Sequence, residues 1–255
     1  MEDVPVPRAA RAVRRDWEQL ASASGSPEPF DESMVADLPE PARRWLRHAI
    51  APGTPLWQSV VLTMSGEIRL GSWRSFTAHQ VLAPPRGFVW AATTHIFGLP
   101  VGGFDRYSSG SGQMNWRLGG LIPVMTATGP DVTRSAAGRL AGEMALVPTS
   151  FRAAAWTPGS AEDRALVTWC IDGDEESAEF RVGPGGRLLE VVMQRWGNPN
   201  GAPFGRYPFG VAIEDEETFA GVTIGSALRA GWWWGTERES EGEFFRARIT
   251  GASFR

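Results

Sequence analysis

The chain has 255 residues, of which 42% are hydrophobic and 21% charged, and it contains 30 glycines and 19 prolines. This composition indicates a globular protein with many turns, and the length fits one large β or α+β domain or two small ones. The net charge is −4 and no basic stripe stands out, which argues against nucleic acid as a partner.

The first 37 residues predict a helical arm followed by a linker. Residues 8–22 are expected to form a short helix, and the segment SASGSPEPFDES after it has the serine and proline content of a flexible linker. The arm is either loosely attached or docked as a lid. The N-terminus lacks the apolar core of a signal peptide, and no stretch approaches the roughly 18 apolar residues of a membrane span, so we expect a cytoplasmic protein.

A second helix is predicted from the prolines at positions 39 and 41 through Ile50, because proline is tolerated in a first turn. From Trp57 to Leu70 apolar and polar residues alternate with a period of two, which indicates a half-buried antiparallel strand. The next two runs, WRSFTAHQVLA and GFVWAATTHIF, continue as a meander that is apolar on both faces. Such a sheet must be covered on both faces, or it must curl around something.

A hairpin is predicted around residues 110–112, and after it a helix with Asp131 as its N-cap that Pro148 ends. Cys170, the single cysteine, excludes an internal disulfide and is expected to be a buried small hydrophobe. Further strands are expected at 151–157, 165–172, 176–182, 187–196, 209–219, 225–235 and 243–254. The predicted fold is α+β and mainly β: one domain over residues 38–255, built on a large curved antiparallel sheet that forms a partial or closed barrel with helices packed in or over it.

The helix and the strand before it carry the candidate catalytic groups. Asp105 and Tyr107 share one strand face, and Arg139 and Glu143 lie four residues apart on one helix face. Glu143 is either a surface charge paired with Arg139 or a buried carboxyl with a raised pKa, suited to general acid or base work. For Asp105 the alternative is a structural ion pair with a nearby arginine such as Arg106 or Arg117.

The candidate substrate-binding residues are Arg195 and Trp196 beside the long loop 198–210, together with Trp90, Trp116, His79 and His95. Arg195 fits either a strand-end ion pair or a residue that orients an anion at a pocket mouth. The 12 tryptophans against 2 tyrosines indicate a large core or an aromatic-lined cavity. His79 and His95 with Asp105 form a conceivable metal site, but scattered histidines are more often polar surface groups, so we expect no metal and no cofactor.

Several motifs occur in the order found in a large bacterial family of unknown function. They are LPEPARRWLRHAI, GEIRLGSWRSFTAHQ, GFVWAA, the D-x-Y-x-x-G-x-G-x-M of Asp105 to Met114, RLAGEMALVP, the QRWG of 194–197 and GVTI…AGW. The chain resembles this family from Leu38 to its C-terminus. Among the polar positions the resemblance singles out Asp105, Tyr107, Glu143 and Arg195. By fold analogy, the predicted sheet curling around a helix is similar to the open barrels of lipoprotein-carrier proteins, which hold an acyl group in an apolar cavity.

These observations predict a protein that binds an apolar small molecule in an aromatic-lined pocket. No catalytic motif is present. The first hypothesis is a cofactor-independent isomerase or cyclase that uses Glu143, Asp105 and Tyr107 as acid and base. The alternative is a non-catalytic carrier or sensor of lipid-like ligands. A homodimer is left open.

Overall fold

We describe a computed structural model of the chain for residues 5–22 and 27–255. In this part the chain forms four α-helices, five short 3₁₀ helices and 13 strands. The helices are α1 (Arg14–Ala21), α2 (Glu40–Ala49), α3 (Pro130–Glu143) and α4 (Glu239–Gly242). The strands are β1 (Val60–Leu70), β2 (Ser72–Ala83), β3 (Gly87–Ile96), β4 (Leu99–Ser108), β5 (Ser111–Leu118), β6 (Ile122–Ala127), β7 (Ala155–Pro158), β8 (Arg164–Ile171), β9 (Asp174–Val182), β10 (Leu188–Gly197), β11 (Gly205–Phe219), β12 (Val222–Trp232) and β13 (Glu243–Phe254).

All 13 strands belong to one antiparallel sheet, in the order β6-β5-β4-β3-β2-β1-β13-β12-β11-β10-β9-β8-β7. Two meanders, β1–β6 and β7–β13, meet where β1 pairs with β13 at the centre. The edges are β6 and β7, and the chain between them contains α3. This confirms the predicted fold class, with a partial rather than a closed barrel.

Helix α3 fills the concave side of the sheet. It packs against β3, β4 and β5 of one meander and against β9 and β10 of the other. Its small buried residues Ala137, Gly138 and Ala141 permit this close approach on both sides. Tyr107 on β4 adds a direct link, because its hydroxyl donates a hydrogen bond to Asp172 in the β8–β9 turn. The main core therefore lies inside the curved sheet, around α3.

The N-terminal arm packs on the convex face of the sheet. A 3₁₀ helix, Arg8–Val13, leads into α1, and Trp17 and Leu20 are buried against β2, β3 and β4. Residues 23–26 of the predicted linker lie outside the described residues. Beyond them Phe30 is buried and its N–H donates to the carbonyl of Thr54 at 2.7 Å, so this part of the segment packs against the domain instead of forming a free linker.

Several predicted boundaries were wrong. The segment 148–153 is a 3₁₀ helix, and the strand predicted there begins only at Ala155. Residues 122–127, which were not predicted as a strand, form the edge strand β6. Helix α3 has Gly129 as its N-cap, with φ of 108°, so Asp131 lies in the first turn. The long loop after β10 ends early, because β11 begins at Gly205.

The prediction that Cys170 is buried was also wrong. The side chains of Ala165, Val167, Trp169 and Ile171 on β8 are buried, and Cys170 between the last two is exposed. Successive side chains of a strand point to opposite faces of the sheet, so the apolar neighbours of Cys170 in sequence do not cover it.

Candidate functional site

Arg139 of α3 lies between two carboxylates on the concave face. Its Nη1 donates to Oδ2 of Asp105 at 3.1 Å, and its Nε donates to Oε1 of Glu143 at 2.7 Å. The three side chains are only 16–22% exposed. Asp105 comes from β4, and Glu143 follows Arg139 by one helical turn. The structure therefore brings together the two carboxylates predicted from the strand face and the helix face, with one cation shared by both.

The remaining carboxylate oxygens are also occupied. Trp116 Nε1 donates to Oδ1 of Asp105 at 2.8 Å, and Gln80 Nε2 donates to Oε2 of Glu143 at 2.5 Å. We call Gln80, Asp105, Trp116, Arg139 and Glu143 the Arg139 cluster. Each of its four carboxylate oxygens accepts one hydrogen bond from a side chain. This matches the general rule that buried charges are paired and hydrogen-bonded.

Burial and charge act in opposite directions on the pKa values of this cluster. Burial raises the pKa of the Asp105 carboxyl, although Arg139 and the hydrogen bond from Trp116 oppose the shift. Burial alone lowers the pKa of Arg139, but Glu143 and Asp105 outweigh it, so the net shift is upward. Arg139 is therefore held firmly in its charged form.

A second arginine, Arg195 on β10, lies on the same face without a carboxylate partner. Its guanidinium lies over the rings of Phe209, at 4.7 Å, and Trp232, at 5.1 Å, and its Nη2 donates to the carbonyl of Ser135 on α3 at 3.3 Å. Among residues 5–22 and 27–255 no carboxylate forms an ion pair with it, and its buried Nε has no hydrogen-bond partner in the protein. Burial and the nearby Arg139 lower the pKa of Arg195 to about 10.

A continuous series of aromatic rings joins the two arginines. Arg139 lies over Trp90 at 5.1 Å, and Arg195 lies over Trp232. Neighbouring rings between them have centroids 5.1–6.4 Å apart, which is the usual range for offset and edge-on aromatic pairs. The half-exposed members of the series are Trp116, Trp232, Phe244 and Phe245, which we call the aromatic wall. Buried Trp90 lies behind them, and its Nε1 has no hydrogen-bond partner in the protein.

Other predicted site residues lie elsewhere. His79 and His95 are exposed on the convex face, and they are not cross-strand partners because His79 pairs with Ala91. The two histidines predicted to bind the substrate therefore lie on the face of the sheet away from Asp105 and Arg195. Trp196 contacts the first turn of α3, where its Nε1 donates to Asp131 and Arg134 lies over its ring at 4.0 Å.

Tyr107 shares the concave face with Asp105 but is engaged in a different contact. Its phenol is 2% exposed and donates to Asp172, and burial together with this hydrogen bond raises its pKa above the ordinary value. Asp105 does form a structural ion pair with an arginine, as its alternative predicted, but the arginine is Arg139. Arg106, named as an example, forms an ion pair with Asp16 of the N-terminal arm at 3.5 Å.

Gln80 and the aromatic partners of Arg195 were not predicted as site residues. A signal for Gln80 existed, since it is a polar residue on an otherwise apolar strand face, between Ala78 and Leu82. No comparable signal marks Phe209 and Trp232, because nothing in their sequence neighbourhood indicates that a guanidinium lies over them.

Two cavities in the described chain lie away from the Arg139 cluster. One of about 220 Å³ lies between residues 27–28 and the 3₁₀ helix 148–153. The other, of about 490 Å³, lies on the convex side between the N-terminal arm and strands β3–β5. Neither is lined by a residue of the Arg139 cluster or of the aromatic wall.

A family profile for the "Family of unknown function (DUF6544)" matches residues 28–244. A search of curated proteins found no match. Similar solved structures include a LolA superfamily protein from Nitrosomonas europaea (TM-score 0.43, 8% identity, 86% of this chain and 94% of the other). They also include a putative outer membrane lipoprotein-sorting protein domain from Vibrio parahaemolyticus (0.37, 6%, 78% and 86%). A third is a DUF1329 family protein from Desulfovibrio piger (0.35, 10%, 78% and 86%).

Proposed function

The chain belongs to DUF6544, a family of unknown function, and we propose that it binds an amphiphilic anion on the concave face of its sheet without converting it. The apolar body of the ligand lies along the aromatic wall and its anionic head lies against Arg195. The protein thus acts as a carrier or sensor of lipid-like molecules. The proposal rests on three features of the concave face: Arg195, the aromatic wall and the occupied carboxylates.

Arg195 is the observation that carries the proposal. Burying a cation without a counter-ion is costly, and the lowered pKa of Arg195 reflects this cost. Its neighbours Asp105 and Glu143 are both paired with Arg139. An anionic ligand would supply the missing partner. A guanidinium presents several N–H donors in a planar fork, which suits a carboxylate or phosphate head.

The aromatic wall supports an apolar ligand body. Its four partly buried rings pack against the concave core and keep part of their apolar surface in contact with solvent. Covering such surface contributes roughly 25 cal/mol per Å². The wall lies between the two arginines, so a ligand bound by Arg195 would lie along these rings.

The Arg139 cluster argues against the enzyme hypothesis. A general base must accept a proton in the transition state, and a general acid must donate one. Both oxygens of Asp105 and both of Glu143 already accept hydrogen bonds, so either carboxylate would have to break a contact first. Tyr107 donates a hydrogen bond to Asp172 and has a raised pKa, which suits a structural link better than proton transfer.

The test is a titration with a terminally brominated dodecanoic acid, followed by quenching of tryptophan fluorescence. We expect saturable quenching, and weaker binding of the matching brominated alcohol. Arg195→Leu should weaken binding of the acid about tenfold or more, since a hydrogen bond to a charged group contributes about 1.5–3 kcal/mol. The control is Arg134→Leu, which removes another arginine stacked on a tryptophan.

Three results would overturn the proposal. They are absence of quenching, equal affinity for acid and alcohol, and equal loss of affinity in the two arginine variants. Chromatography and NMR of the recovered ligand test the enzyme hypothesis separately, because an isomerase or cyclase leaves the mass of its ligand unchanged. If the unchanged chain alters the ligand chemically and the Glu143→Gln variant does not, the isomerase or cyclase is supported instead.

A further inference from the structure

Seven of the eight large apolar side chains that are exposed in the described chain lie in one region of the sheet. Their exposure ranges from 44% to 90%. Soluble proteins rarely expose apolar groups in such a concentration without a binding role. The seven are Leu70, Phe97, Leu99, Leu121, Ile122, Val124 and Met125.

The first five of these residues lie at three neighbouring turns. The β1–β2, β3–β4 and β5–β6 turns are at the same end of the sheet, as the pairing of Ile68 with Arg74 and of Ile96 with Leu99 shows. Adjacent turns are two strands apart, which is about 10 Å. We call Leu70, Phe97, Leu99, Leu121 and Ile122 the apolar rim. Val124 and Met125 continue it along the edge strand β6.

The surroundings of the apolar rim are basic. Arg69, Arg74 and Arg117 lie on the strand ends next to these turns, where Glu67 supplies one carboxylate. Arg74 lies over the ring of Phe97 at 5.9 Å. The rim therefore combines exposed apolar side chains with an excess of positive charge.

The 490 Å³ cavity behind the rim has the same charge. It is lined by Arg8 and Arg11 of the N-terminal arm, by Arg117 of β5 and by Leu121 of the rim, and no acidic side chain lines it. None of the three arginines forms an ion pair with a carboxylate in the described part of the chain. Leu121 therefore belongs to both features, which places the arginines next to the exposed apolar tips.

The combination of exposed apolar side chains and arginines decides between two possible binding partners of the rim, a second copy of the chain and a lipid surface. A second copy of the chain would best use the β6 edge for strand pairing, but Pro123 lies within β6 and lacks a backbone N–H. A lipid surface needs projecting apolar tips and basic groups beside them. We propose that the apolar rim docks the protein peripherally on a bilayer that contains anionic lipids. The rim enters the acyl boundary, and Arg8, Arg11 and Arg117 contact phosphate headgroups.

Peripheral docking agrees with the helices of the described residues, none of which is long and apolar enough to cross a membrane. It is independent of the proposed ligand on the concave face, because neither the rim nor the cavity includes Arg195 or the aromatic wall.

The test is flotation of the full chain with vesicles of phosphatidylcholine, with and without phosphatidylglycerol. We expect the protein to float with the anionic vesicles and to remain mostly unbound with the neutral ones. Leu121→Glu should lower the partition coefficient about tenfold or more, since it removes a leucine that docking would bury in the acyl boundary. Arg8→Gln combined with Arg11→Gln should lower it about fivefold for each charge removed.

Matched controls separate specific docking from general effects. Phe204→Glu changes the one large exposed apolar side chain that lies outside the region among the described residues, and Arg15→Gln changes an exposed arginine of α1 that does not line the cavity. Both should float like the unchanged chain. Circular dichroism of every variant checks that it is folded.

Three outcomes would overturn the proposal. The first is absence of flotation, and the second is equal flotation of Leu121→Glu and Phe204→Glu. The third is a dimer in sedimentation velocity that Leu121→Glu dissociates, without vesicle binding, which would assign the rim to a second copy of the chain.

Discussion

Replacing Arg139 with methionine tests whether this residue neutralises two carboxylates. The change keeps most of the side-chain volume and removes the charge between Asp105 and Glu143. Both carboxylates are about four fifths buried. Removing one partner of a buried ion pair lowers the free energy of unfolding by about 3–5 kcal/mol. Because these side chains keep some contact with solvent, we expect a loss at the lower end, about 3 kcal/mol. Loss of the stacking on Phe88 and Trp90 adds to this deficit.

The assay is urea unfolding of Arg139→Met and of the unchanged chain, at about pH 7 and at about pH 4.5. Burial already raises the pKa of folded Asp105, and loss of the cation raises it further. A carboxyl whose pKa is higher in the folded than in the unfolded state lowers the stability increasingly between these two pKa values, and fully above the folded pKa. The cost disappears at pH values where the carboxyl is protonated in both states. The deficit should therefore be largest near neutral pH and shrink at the acidic pH.

The matched control is Arg152→Met, which removes an exposed arginine whose ion pair with Glu28 is 2.7 Å long. Both partners are more than half exposed, so its loss should cost less than about 1 kcal/mol. In the Arg139→Met background, Glu143→Gln should recover part of the lost stability. A deficit for Arg139→Met as small as that of the control, or one that does not change with pH, would refute the argument.

Three further predictions concern the rest of the fold. Tyr107→Phe should lower the free energy of unfolding by about 0.5–1.5 kcal/mol, measured by urea unfolding, because the bond to Asp172 is lost; no change would contradict a structural role. Trp17→Ala should release the N-terminal arm to limited proteolysis while the body of the protein resists, since Trp17 is buried on the convex face. Cys170 should react with a thiol reagent in the folded protein; protection until unfolding would contradict its exposure.

The architecture was predictable because its signals are local. Alternation with a period of two gave most of the strands, and the change to a helical period marked α3. The proximity of Asp105 and Glu143 was predictable for the same reason, because the strand and helix periods specify the face on which each side chain lies. The edge strand β6 was missed because its residues are exposed on both faces, so no alternation marks it.

The partners of the site residues were less predictable. Tyr107 bonds to a residue 65 positions away, and Arg195 lies over rings contributed by two other strands. Such contacts depend on the curvature of the sheet, which sequence periods do not specify. His79 and His95 were predicted to bind the substrate, although the alternation along their strands places them on the sheet face opposite to Asp105 and Arg195.

A crystal structure of the protein with dodecanoate would show whether Arg195 binds the anionic head of the ligand. We expect the carboxylate at about 3 Å from the guanidinium of Arg195, with the alkyl chain along Trp232 and Trp116 and the Arg139 ion pairs intact. Dodecanoate bound only in the cavity under the N-terminal arm, or with its carboxylate away from Arg195, would contradict this expectation.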